Sequence, residues 1–123
     1  PESETTTTFR EKMVAASSRD TVRSSARTGK PARQLRSAWH DNWEGSDSPG
    51  ILPMPLMPML SVPAFELIDK AAEAGKPQAA ELASYFVGQG VGLVKGVTSA
   101  RQVADQFKQD FVEAVTALNS LVE

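Results

Sequence analysis

Gly88-Gln89-Gly90-Val91-Gly92 is the stretch of this chain whose residue types most invite chemistry. A Gly-x-Gly-x-x-Gly loop cradles a dinucleotide pyrophosphate because its backbone amides can approach the phosphates closely at the start of a helix. That pattern needs glycine at position 93 and a strand in front, whereas Leu93 stands there and no strand pattern precedes it. Two readings remain. Glycines at alternate positions cost a helix about 1 kcal/mol each relative to alanine, so either close packing or an approaching ligand must offset them. Tyr85, Phe86, Val87, Val91, Leu93 and Val94 go nearly all the way round a helical axis, which predicts a helix covered on several sides. Gln89 in such a setting requires hydrogen-bond partners.

A second concentration of chemistry is cationic. Arg19, Arg23, Arg27, Lys30, Arg33 and Arg36 stand against Asp20 alone within eighteen residues, either as a solvated face or as a surface for phosphate groups. Residues 1–40 hold eight basic and four acidic side chains and residues 41–123 hold five and eleven, so a front of +4 and a back of −6 give the net −2. Nucleic acid is disfavoured as a partner, because no aromatic interleaves with the bases before Trp39. His40 adjoins Asp41, but neighbours on a helix do not face each other, and no nucleophile motif surrounds them. Asp105 with Asp110, and Asp69 with Glu73, read as solvated helix faces and not as acid–base pairs. The chain has no cysteine, which excludes disulfides and thiolate metal ligands, and a lone His40 makes no zinc site. No catalytic residue and no metal site is expected.

The elements that must position these residues are helical. Apolar periodicity predicts helices over 5–17 (Phe9, Met13, Ala16), 31–44 (Leu35, Ala38, Trp39, Trp43), 64–74 (Phe65, Ile68, Ala72), 78–94 and 99–122. In the last of these, Val103, Phe107, Phe111, Val115, Leu118 and Val122 form one stripe expected to be buried, so truncating Phe107 or Phe111 should cost roughly 3–5 kcal/mol. Ser99 and Gln102 carry the capping-box pattern at its start. Residues 49–63 hold five of the eight prolines and three of the four methionines, which predicts an extended connector lying against protein. No strand material is evident, and no apolar run approaches the roughly 20 residues that span a bilayer, so a cytoplasmic setting without membrane is expected. Pro1 and the polar, threonine-rich residues after it read as the interior of a longer polypeptide.

Taken in order, several pieces resemble the C-terminal part of the nitronate monooxygenase family, FMN-dependent TIM-barrel enzymes formerly called 2-nitropropane dioxygenases. They are Pro1-Glu2-Ser3, Asp20-Thr21-Val22-Arg23, Thr28-Gly29-Lys30-Pro31-Ala32-Arg33, Pro53-Met54-Pro55-Leu56, and Tyr85-Phe86-Val87-Gly88-Gln89 with Gly92-Leu93. The resemblance implies that this chain, mostly α with a Pro-rich connector, is the C-terminal helical part of an FMN-binding α/β TIM barrel. The flavin-phosphate loop, the catalytic histidine and the barrel strands would then lie upstream, and the isolated chain would be inactive.

By the same resemblance, Gly88 and Gln89 approach the flavin, while Tyr85 and Met57 face the substrate. Met57 departs from the glutamine expected after Pro-Leu in many relatives. The implied partners are the rest of the barrel polypeptide and a small nitronate, acyl-CoA or quinone substrate, with oligomerisation open. A flavin-dependent enoyl- or acyl-CoA or quinone reductase of the same family is one alternative. A non-enzymatic helical interaction module is another.

Overall fold

The computed structural model describes residues 2–122. Two compact units are present: a larger one, Thr5–Lys95, and a smaller one built on the last helix. In the larger unit the Thr6 side chain accepts from the Phe9 amide at 3.2 Å and starts α1, Thr7–Ala15. The Glu73 carboxylate also accepts from the Thr7 and Thr8 amides, at 3.1 and 2.8 Å, where the helix dipole favours negative charge. Ser17 and Asp20 then close a 3-10 turn, Ser18–Asp20, that ends the helical run earlier than periodicity alone suggests.

Strands β1, Thr21–Ser24, and β2, Ala32–Leu35, pair antiparallel, with Val22 opposite Gln34 and Arg23 opposite Arg33. This corrects two expectations: strand is present, and residues 32–35 are not helical. Neither strand has a run of Val, Ile and aromatics, so pairing comes from the tertiary setting and not from local propensity. Gly29 turns the connection between them with φ of +77°, in the left-handed region where glycine carries no Cβ penalty. An ideal Cβ there would lie 2.4 Å from the Met54 amide nitrogen and 2.8 Å from the Leu52 carbonyl oxygen, so the 52–54 backbone crosses directly over it.

The second predicted helix is confined to α2, Ala38–Glu44. The third is longer than expected: α3 spans Leu56–Glu73 and absorbs the second half of the supposed connector. Pro58 falls in its first turn, where an amide is not needed, and Pro63 removes one interior bond. Burial of Met57, Ser61, Phe65 and Ala72 along one face, at helical spacing, offsets that loss. Helix α4, Pro77–Leu82, is only the beginning of the predicted 78–94 helix. Beyond it the backbone is drawn out beside β2: Leu35 donates to the Tyr85 carbonyl at 2.9 Å, Phe86 bridges Gln34, and Ser84 Oγ donates to the Leu35 carbonyl at 2.6 Å. Gln89–Leu93 then forms a 3-10 helix.

Two apolar clusters hold this unit together. One joins Ala26, Trp39, Met57 and Phe65; the other joins Leu35, Ala83, Tyr85 and Val91; Ile68 packs against both. In the smaller unit α5 spans Ala100–Ser120, with the Ser99 hydroxyl accepting from the Gln102 amide at 3.1 Å and the Gln102 side chain accepting from the Ser99 amide at 2.9 Å. Its stripe is not buried, contrary to expectation. Phe107 is 72% exposed and Phe111 70% exposed, so truncating either removes little packing within this chain. Among the described residues, no helix is long and apolar enough to cross a membrane.

Candidate functional site

The extended segment beside β2 delivers the chain to Gly88, whose carbonyl accepts from the Val91 amide at 3.1 Å. Gln89 is exposed and its side chain has no hydrogen-bond partner among the described residues, so it is not the enclosed polar group that a covered helix would have made it. The three glycines are not equivalent. A Cβ on Gly92 would meet the Ser18 amide nitrogen at 2.7 Å, so close packing explains that position. Around Gly90 nothing lies within 4 Å of an added Cβ, and around Gly88 only the Gly90 nitrogen lies as near as 4.0 Å. Neither has positive φ. Among the described residues, nothing requires glycine at 88 or 90.

Tyr85, three residues earlier, is 9% exposed; its ring stacks on Phe9 with centroids 4.3 Å apart, and its hydroxyl donates to Asp69 at 3.1 Å. Burial raises its phenol above the ordinary value, which keeps it a neutral donor. Met57 is wholly enclosed among the residues of the first cluster. The structure therefore brings Gly88 and Gln89 to the surface together and encloses Tyr85 and Met57 in separate apolar clusters. A cleft of about 280 Å³, lined by Lys12, Ala15, Ala16, Asp20, Leu35 and Arg36, includes none of the four.

The six bases diverge. Arg36 pairs with Asp41 at 2.8 Å on the surface, and Arg33 donates to Thr21 Oγ1 at 2.9 Å. Arg23 and Arg33 lie directly opposite across the ladder, an arrangement that repels. Arg27 is different: its guanidinium lies over the Phe65 ring at 3.9 Å and the Phe86 ring at 4.6 Å, and donates to the Ser84 carbonyl at 2.7 Å. Its rings come from distant parts of the chain, so local sequence could mark it only as one cation among six.

His40 is fully buried. The Ser37 amide donates to its Nδ1 at 3.1 Å, which fixes the proton of the neutral ring on Nε2. That Nε2 is enclosed without a partner among the described residues, as is Gln34 Oε1. Burial holds the imidazole below its ordinary pKa, outweighing Glu44, so it stays neutral and offers no exposed base. Among the described residues, no three His, Cys, Asp or Glu side chains converge as metal ligands.

The chain is 46% identical, over 122 residues and 99% of its own length, to a protein of Mycobacterium tuberculosis named as a putative monooxygenase. The match spans 32% of that protein, so this chain covers about a third of the relative's length. No family model matches, and no solved structure matches. Over that matched third, the chain is mostly helical with one small two-stranded sheet.

Proposed function

We propose that this chain is the C-terminal helical portion of a longer FMN-dependent oxidoreductase of the nitronate monooxygenase type, and that the Gly88–Gly90 turn is where it meets the flavin. The observation that carries the reading is the pair of exposed glycines, Gly88 and Gly90, for which the described residues supply no steric or conformational reason. In an ordinary backbone conformation with open space, alanine would stabilise by about 0.4–1 kcal/mol through the unfolded chain. A flat ligand approaching the backbone closely accounts for the missing side chains, and the unpartnered Gln89 amide gives it a donor and an acceptor. Tyr85 and Met57 then support this wall from the cores, and a small nitronate substrate would lie on its outer side. The same wall would serve an enoyl- or acyl-CoA or quinone reductase.

FMN would be held mainly by barrel residues outside this chain, and it would supply the redox chemistry. The 123-residue chain alone is accordingly expected to purify colourless, whereas the complete polypeptide carries one flavin per chain. Stoichiometric FMN on these residues alone would sink the proposal, as would a complete polypeptide free of flavin that turns over no nitronate.

A second reading, a helical interaction module without enzymatic activity, draws on the exposed stripe of α5, where Phe107, Phe111 and Leu118 are all more than 60% exposed. Light scattering separates the two. A stable, cooperative oligomer of the 123-residue chain favours the module.

A further inference from the structure

We propose that the outward stripe of α3, formed by Leu56, Leu60, Pro63 and Leu67 with Met59 at its edge, docks an apolar helix face from the part of the longer polypeptide that lies outside this chain. The docking rests on reading the chain as a portion of a larger protein, and it needs no flavin.

Helix α3 uses its three sides differently. Met57, Ser61, Phe65 and Ala72 turn inward and are buried. A second side is acidic and engaged within the unit: Asp69 accepts from the Tyr85 hydroxyl at 3.1 Å, and Glu73 accepts from the Thr7 and Thr8 amides at 3.1 and 2.8 Å. Steps of 4, 3 and 4 set Leu56, Leu60, Pro63 and Leu67 on the third side. There Leu67 is 70% exposed, Leu56 49% and Leu60 42%, and Met59 is 73% exposed. Residues 48–65 contain no charged side chain, so most of the stripe gives a charged partner nothing to pair with. Apolar residues at this spacing are what a helix turns toward a core, and the ridges between them accept another helix.

Size decides the occupant. A specific contact between separate molecules engages about 20–30 residues a side, whereas this stripe supplies a few side chains along about 16 Å of helix. A second copy would gain too little apolar burial to offset the freedom lost on association. A segment of the same polypeptide is already held nearby, at an effective concentration set by the chain itself, so a small apolar face is enough for it. The Mycobacterium tuberculosis relative carries such material, with about two-thirds of its length outside the match.

The test is alkylation of Leu67→Cys by iodoacetamide, read on the substituted peptide by mass spectrometry, in the 123-residue chain and in the complete polypeptide. This chain has no cysteine of its own, so the introduced thiol reports by itself. It should react like a free thiol in the 123-residue chain and at least tenfold more slowly in the complete polypeptide. Val62→Cys, about 140° round the same helix and 55% exposed, should react at one rate in both. Equal reactivity of Leu67→Cys in the two forms would overturn the docking, as would equal slowing at Val62→Cys. Slowing that already occurs in the 123-residue chain and disappears on dilution would overturn it in favour of a second copy. Should Leu67→Cys fail to fold, Met59→Cys reads the same edge of the helix. Protection in a complete polypeptide that holds no flavin supports the docking and removes the flavin reading, whereas a freely reactive thiol in a flavin-loaded polypeptide does the reverse.

Discussion

Replacing Gly29 by alanine should be among the most damaging single-methyl additions this chain can receive. Two separate penalties meet there. The residue sits at φ +77°, which costs a Cβ-bearing residue about 1–2 kcal/mol. The new Cβ would also stand 2.4, 2.7 and 2.8 Å from backbone atoms of Met54, Pro53 and Leu52, none of which can swing aside as a side chain would. Displacing that backbone disturbs the entry to α3, where the amides of Leu56 and Met57 donate to the Pro53 carbonyl. Overpacking of this kind adds about 1–3 kcal/mol, so the total is roughly 2–5 kcal/mol.

The contributions separate in a urea series. Gly75→Ala carries positive φ but meets nothing within 4 Å, so it reports the conformational term alone. Gly92→Ala has ordinary φ but meets Ser18, so it reports the steric term alone. Gly29→Ala should lose at least as much stability as the two together. A loss no larger than that of Gly75→Ala would refute the crossing of the 52–54 backbone over Gly29.

Phe65→Ala should cost about 3–5 kcal/mol, since it empties the first cluster, while Phe107→Ala on the exposed face of α5 should fall within about 0.5 kcal/mol; paired denaturation curves check both. His40 sets a pH signature. Its folded pKa is depressed below 6.5, so above that value neither state binds the proton, and as pH falls below it the unfolded state takes up a proton that the folded state refuses. Stability should therefore decline as pH falls below the ordinary histidine value, by at most about 1.4 kcal/mol per unit, and His40→Gln should flatten that slope.

Local signals were legible where they were self-sufficient. The Ser99 and Gln102 box needs only residues three apart, and it marks the start of α5 directly. What surrounds α5 was not legible, because a periodic apolar stripe says which side chains share a face and not whether anything covers it. The prolines of 49–63 were misleading for a physical reason: Pro58 in a first turn and Pro63 beside a well-buried face are both tolerated, and only the tertiary burial of Met57, Ser61 and Phe65 reveals it. Strand β2 and the extended segment at 84–87 arise from each other's backbone groups, which no local pattern encodes. For the site, sequence singled out Gly88 and Gln89 but set them on a covered helix. The exposed turn, with one glycine explained by Ser18 and two unexplained, follows from tertiary packing that no local pattern encodes.

The proposed contact between this turn and flavin is tested most directly by the flavin affinity of the complete polypeptide carrying Gly90→Ala. Within this chain the added methyl meets open space and ordinary backbone, so its folding stability should hold or rise by about 0.4–1 kcal/mol. A closely approached flavin should nonetheless be lost, with dissociation at least tenfold more favourable than in the unsubstituted protein. Unchanged flavin affinity in Gly90→Ala would contradict the account.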